Sequence, residues 1–307
     1  MNWFFIALIG PILYAISNHT DKYLLEKYFK GGEAGALVIF SALFSVVTLP
    51  IIYLIEPAVF SLGAKATLIL TLNGTLNVVC LILYYKALKG EETSTVIPFY
   101  QTIPIFGFIL GYFVLGEVLS INQIIASGLI IVGTIILSLD LSSSRTRVKK
   151  RVAILMLSTS FLFAVSGVIF KMVAIEEGFW ESIFWDFSGK VILGVFLYIA
   201  FISYRRQFIK LLKMNSLSLI SINSFNEALF ILADGISAFA TLLAPIALVM
   251  MVNGFQPLFV FLIGIIMTLF FPKIVDETLS KEIIAQKILA IGIITIGTYA
   301  LGTSGAL

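Results

Sequence analysis

Charge, cysteine and histidine are scarce in this sequence. Of 307 residues 12% are charged, and there is one cysteine and one histidine. Soluble domains carry about 25% charged residues, so an ordinary soluble fold is excluded. Cys80 stands alone inside an apolar run, which rules out an internal disulfide and gives no reading of redox compartment. One histidine and one cysteine leave no material for a nucleophilic triad. No His-Glu-x2-His, paired-cysteine or Gly-x-Ser-x-Gly pattern occurs, so a metal centre or serine hydrolase has no support; no enzyme activity and no cofactor are expected. The phosphate-cradling Gly-x4-Gly-Lys-Ser/Thr loop is missing, so ATP bound to this chain is not expected to drive it. Long polar connections are missing too, which leaves no room for a soluble domain. The net charge of +3 comes from loops and points to no nucleic-acid partner.

What is present is apolar sequence. Hydrophobic residues make up 60% of the chain and the mean hydropathy is +1.07. They fall in runs of about 20 residues, the length a helix needs to cross the hydrocarbon core. Ten spans can be drawn, roughly 3–20, 34–55, 66–86, 94–115, 122–140, 152–174, 181–203, 216–235, 241–271 and 284–303. Helices are expected, because backbone groups in lipid must be satisfied within the segment, and the alternating strands of a barrel are absent. The start, Met1-Asn2-Trp3, has no basic n-region, so the first span reads as retained.

The chain repeats itself. Pro98 to Pro104, Gly111, Leu115-Gly116-Glu117 and Gly128-x4-Gly133 return as Pro257, Gly264, Glu277 and Gly292-x4-Gly297. Tyr14-Ala-Ile-Ser17 with Lys22 matches Phe163-Ala-Val-Ser166 with Lys171 at one constant offset, and Asn73 and Asn77 match Asn223 and Glu227. Two five-span units follow, 1–141 and 152–307, joined by a basic linker at 142–151. An odd span count makes the second unit enter the membrane inverted, a mark of many secondary transporters. The basic residues agree. Odd-numbered connections hold nearly all lysines and arginines, whereas even-numbered ones hold Lys65. The bias puts odd connections in the cytoplasm and both termini outside.

These residues resemble the EamA family of the drug/metabolite transporter superfamily, over essentially the whole chain. The carriers of the resemblance are Pro104, Gly111, Leu-Gly116-Glu117 and Gly128-x4-Gly133, with their repeat at Pro257, Gly264, Glu277, Gly292 and Gly297. The resemblance implies a ten-helix carrier with a central cavity between repeats, moving metabolites such as amino acids, often outward. The second repeat departs from it in having Ile274-Val-Asp276 before Glu277. Many members are thought to keep both termini in the cytoplasm, against the charge count here.

Ionisable groups inside spans cost about 2.5–3.5 kcal/mol each on insertion scales, so each needs a partner or a watery cavity. Asp186 and Lys190 are four apart, acid before base. They read first as a mutual ion pair, and alternatively as a cavity lysine that anchors an anionic substrate group. Asn223, Asn226 and Glu227 share a helical face with Asp234, and the repeat partner of Glu227 is Asn77, one turn after Asn73. These side chains line one polar cavity, in which Glu227 is suited to exchange protons, or form a buried network that holds helices together. Pro98, Pro104, Pro245 and Pro257 free carbonyls near Gln101, Asn253 and Gln256, either as a polar lining or as packing kinks. His19, Lys22 and Lys171 read as boundary groups, the lysines by snorkelling or alternatively by salt bridges near opposite cavity mouths, and Trp3, Trp180 and Trp185 suit the interface belt.

The expected protein is an all-α multi-pass carrier of the plasma membrane, an exporter or exchanger of a small polar metabolite by alternating access. Proton coupling and a homodimer are compatible with it. Uptake, flippase-like movement of a lipid-linked group, and a polytopic enzyme acting on lipids are the alternatives; the last should cluster carboxylates or histidines at one bilayer face.

Overall fold

The computed structural model describes residues 2–28, 34–88, 97–138, 150–213, 217–270 and 281–303. Among these residues every regular element is helical. The helices are α1 Asn2–Tyr28, α2 Ala34–Phe44, α3 Thr48–Ile55, α4 Ala64–Leu88, α5 Ile103–Leu115 and α6 Ile121–Ser138. They continue as α7 Lys150–Glu177, α8 Phe179–Ala200, α9 Ile202–Lys213, α10 Leu217–Leu243, α11 Ile246–Asn253, α12 Gln256–Phe270 and α13 Lys281–Thr303. Seven helical segments are long and apolar enough to cross a membrane; one of them joins α2 to α3 through a 3-10 turn, and another joins α11 to α12. Three further apolar helices are shorter, Phe99–Leu115, Ile121–Leu137 and Ala285–Leu301. At 1.5 Å per residue each covers about 26 Å, a little under a hydrocarbon core of about 30 Å. The chain is a multi-pass membrane protein.

Two span boundaries differ from the sequence expectation. The eighth span, helix α10, does not stop near 235 but runs to Leu243, and the break falls at Ala244-Pro245. Proline has no N–H to give and its preceding residue avoids helical angles, so the chain can restart there but not continue. The stretch after 200, read as a plain connection, is the amphipathic helix α9. The expectations that fall on residues 142–149 and on Glu277 lie outside the described residues.

Glycines set the closest helix contacts. A methyl built on Gly133 of α6 would stand 2.7 Å from Ile294 Cγ1 and 3.1 Å from the Ala290 carbonyl of α13. One built on Gly297 of α13 would stand 2.7 Å from Ile130 Cγ1 and 3.0 Å from the Ala126 carbonyl of α6. The two helices therefore contact through equivalent residues, and Ala126, Ile130, Ala290 and Ile294 are all buried. On α4 and α8 the approach is closer still: a methyl on Gly74 would overlap the Asp186 carbonyl, and one on Gly189 the Thr71 carbonyl. The obstacle is backbone, which cannot rotate away. Gly74→Ala is therefore expected to cost about 1–3 kcal/mol by overpacking. Gly128 faces open space, so Gly128→Ala should be neutral or stabilise by up to about 1 kcal/mol. Thermal unfolding of the two purified variants in one detergent checks the contrast, and equal midpoints would overturn it.

One end of the bundle is tied together by side chains from several connections. Gly116, at φ 68°, closes α5 in a left-handed turn that a glycine adopts freely. The turn points Glu117 at α7 and at the α10–α11 break. Lys171 Nζ lies 2.5 Å from Glu117 Oε1 and donates to the Ala244 carbonyl at 2.6 Å. Glu117 Oε2 in turn accepts from the Ile246 N–H at 2.8 Å. Nearby in the chain order, Trp185 Nε1 donates to the Val59 carbonyl between α3 and α4 at 2.7 Å. Lys171 is thus buried and paired rather than snorkelling, and Trp3 is packed into the core with Phe4 and Phe255 rather than lying in an interface belt. Apolar side chains on the lipid-facing surface, such as Leu54, Phe113 and Ile199, are widely exposed.

Candidate functional site

Five helices carry charged, amide and hydroxyl groups to one interior place. On α8, Asp186 and Lys190 are one turn apart, and Lys190 Nζ lies 3.6 Å from Asp186 Oδ2. The same ammonium makes a closer ion pair with Asp234 Oδ2 on α10. From α4, Asn73 Nδ2 donates to Asp186 Oδ1 at 2.8 Å and Asn77 Nδ2 reaches the same oxygen at 3.5 Å. From α7, Ser166 Oγ donates to Asn77 Oδ1 at 2.9 Å, which orients that amide. From α1, Tyr14 OH donates to Asp234 Oδ1 at 3.4 Å. Lys190 also lies 4.4 Å over the Phe187 ring, a favourable site for a cation.

The arrangement follows from the local sequence. Gly74 and Gly189 bring the α4 and α8 backbones together, so short amides on α4 can reach Asp186 without spanning a gap. Asp186 is 5% exposed, and Asp234 keeps 37% of its side-chain surface open. Two carboxylates face one ammonium, so the cluster carries one negative charge in excess when all three are ionised. Low dielectric makes that imbalance felt strongly by any charged group that enters.

The remaining sequence candidates sit elsewhere, three of them on α10, His19 on α1 and the others on elements outside the cluster. Asn223, Asn226 and Glu227 are buried on α10, and Ser41 Oγ of α2 donates to Glu227 Oε2 at 2.8 Å. Asn223 Nδ2 has no hydrogen-bond partner among the described residues. Asn253 Oδ1 accepts from Ser237 Oγ at 3.3 Å, and both border Gly10 of α1. Gln101 is buried against Gly254 and accepts from Thr134 Oγ1 at 2.9 Å. Gln256 is half-buried at the start of α12. His19 is bonded to the Val260 carbonyl at 3.0 Å. The structure therefore joins Asn73, Asn77, Asp186 and Lys190 in one network, and sets Glu227, Asn253 and Gln101 in three separate contacts.

Two participants, Tyr14 and Ser166, were not among the sequence candidates. Tyr14 and Ser166 belong to the repeated Tyr14-Ala-Ile-Ser17 and Phe163-Ala-Val-Ser166 motifs, and the repetition was the available signal. Asp234 was visible as an ionisable residue in a span, but its partner on another helix was not.

Residues 1–139 match the model of the EamA-like transporter family. One solved structure, described as the crystal structure of a protein, superposes with a TM-score of 0.65 at 11% identity. The match covers 97% of this chain and 96% of that one, and it establishes a shared fold. No curated protein matches the chain. The sequence match over residues 1–139 is to the EamA-like transporter family, part of the drug/metabolite transporter superfamily.

Proposed function

We propose that the protein is a secondary carrier, an exporter or exchanger of a small polar metabolite such as an amino acid, working by alternating access between two inverted five-helix repeats, 1–141 and 152–307, joined at 142–151. Seven long spans and three shorter apolar helices supply the ten crossings of this reading. The observation that carries it is reciprocal packing. Gly133 meets Ile294 and Ala290 as Gly297 meets Ile130 and Ala126, the contact expected where two copies exchange under a two-fold axis. The plasma membrane, with odd connections and the basic residues in the cytoplasm and both termini outside, fits the charge bias.

The cavity is read as Asn73, Asn77, Asp186 and Lys190 with Asp234 and Tyr14, extended along α10 by Asn223, Asn226 and Glu227 and along the proline-broken spans by Gln101, Asn253 and Gln256. A zwitterion can exchange into the charged cluster without changing its net charge. Its ammonium takes the place of Lys190 beside Asp234, and its carboxylate takes the place of Asp234 beside Lys190. Each exchanged bond is charge-assisted, so the bound state replaces what it breaks. This favours an amino acid over a singly charged anion, which would meet two carboxylates.

Counterflow in proteoliposomes, against labelled amino acids and nucleobases at two pH values, tests the reading. Amino-acid flux that rises with substrate preloading is expected, and no counterflow with any of the panel would count against it. Protons are assigned to Glu227. Glu227→Gln should keep counterflow within about threefold while flattening the pH dependence of net transport, since exchange needs no net proton movement and uphill flux does. An unchanged pH profile in this variant would remove Glu227 from coupling.

A further inference from the structure

Among the described residues helix α9 has no counterpart in the first half of the chain. There the equivalent connection is a 3-10 turn, Pro57–Phe60, opened by Glu56, whose carboxylate accepts from the Ala58 N–H. In the second half the connection is a 12-residue helix, Ile202–Lys213, with four basic residues and no acid. It is therefore not part of whatever the two halves do in common.

Its two faces have different tasks. Tyr204 and Phe208 turn inward, packing against Leu37, Phe40 and Tyr198 at the α2 and α8 ends. Gln207 Oε1 accepts from the Gly35 N–H at 3.1 Å, which ties the helix to the start of α2. On the opposite face Arg206, Ile209, Lys210 and Lys213 follow the i, i+3, i+4, i+7 spacing of a single stripe. They line an open hollow of about 370 Å³, and Arg206, Lys210 and Lys213 are exposed. The helix leaves α8 directly at Phe201, beside the exposed apolar Phe201, Ile202 and Leu212. A short helix that leaves a span at once, with apolar residues at its ends and cations on its face, lies at the depth of lipid headgroups.

We propose that the Arg206–Lys210–Lys213 face binds anionic phospholipid headgroups of the leaflet on the odd-connection side. The charge is complementary, and Ile209 offers an apolar floor beside the acyl boundary. Surface phosphates attract each nearby lysine or arginine by an amount that multiplies affinity about fivefold. The acidic Glu56 in the equivalent connection, which the inverted reading puts on the opposite leaflet, fits the same division of charge.

The test uses the full chain in phosphatidylcholine nanodiscs with added phosphatidylglycerol, with retained lipid counted by native mass spectrometry. Arg206→Gln/Lys210→Gln/Lys213→Gln should bind phosphatidylglycerol about a hundredfold more weakly, while Lys150→Gln/Arg151→Gln on another exposed basic stretch of the same side should weaken binding clearly less. Raising ionic strength should release the lipid from the unsubstituted protein, a readout independent of how the triple variant folds. Equal retention by the triple variant, equal loss in the Lys150/Arg151 control, or lipid that salt does not displace would each overturn the assignment. Displacement by inorganic phosphate alone would reduce the site to a free-anion site, and stronger binding of polyglutamate than of phosphatidylglycerol would give the face to an acidic protein segment; either refutes the lipid.

Discussion

Replacing Lys190 with methionine is expected to abolish counterflow and to destabilise the protein by about 3–5 kcal/mol, the usual cost of removing one partner from a buried ion pair. Lys190 is the cation that both Asp186 and Asp234 face. Without it Asp186 keeps the amides of Asn73 and Asn77 but no positive charge. Methionine fills most of the volume, so the loss is electrostatic rather than a cavity. Adding Asp186→Asn removes the stranded carboxylate, and the double variant should recover a large part of the lost stability. Transport should not recover with it, because the proposed carboxylate anchor is still missing. Thermal unfolding and counterflow on the two variants separate the roles. A double variant that regains both would make the cluster a packing device and nothing more.

The spans were legible because lipid leaves the sequence little choice: each crossing must be a long apolar helix, and the breaks between them must be polar. The exceptions have physical causes. The end of α10 was placed early because Asp234 and Ser237 look like the polar edge of a span, when Lys190, Tyr14 and Asn253 satisfy them inside the bundle. Helix α9 was hidden because its twelve residues are too short to cross and its lysines and arginines were counted as loop charge. Its Arg206, Ile209, Lys210 and Lys213 stripe was nonetheless a helical signal. The glycines of the repeated Gly-x4-Gly motif were visible, but not that Gly133 and Gly297 make the contact while Gly128 and Gly292 face open space.

For the candidate site, local spacing found pairs and missed partners. Asp186 and Lys190 share one helix, and the sequence showed them as neighbours. Asn73 and Asn77 were found through the repeat, but the repeat pointed to Glu227, whereas their bonded partner is Asp186 on α8. A pairing between helices depends on how closely the backbones approach, and that distance was set by Gly74 and Gly189, which carry no polar signal. Glu117 was read only as part of a turn, and Lys171 first as a snorkelling lysine with a salt bridge as the alternative but no partner named, although both carry the charge the other needs.

That last pair makes the second large prediction. Lys171→Met should cost about 3–5 kcal/mol, because Glu117 would be left 15% exposed with only the Ile246 N–H to bond it. Glu117→Gln should be milder, since one oxygen still accepts from Ile246 and Lys171 still donates to the Ala244 carbonyl. The double variant should be more stable than Lys171→Met alone, as expected when a charged pair is removed whole. The location decides where the damage shows. Glu117 belongs to the turn after α5, Lys171 to α7 and Ile246 to the first turn of α11, so the pair ties the first half of the chain to the break between α10 and α11. Hydrogen exchange should accelerate first in residues 246–253, before the rest of the bundle, when Lys171 is lost. A Lys171→Met protein that melts with the unsubstituted one and exchanges no faster there would show that Pro245 and the apolar packing of α11 hold that break without the ion pair.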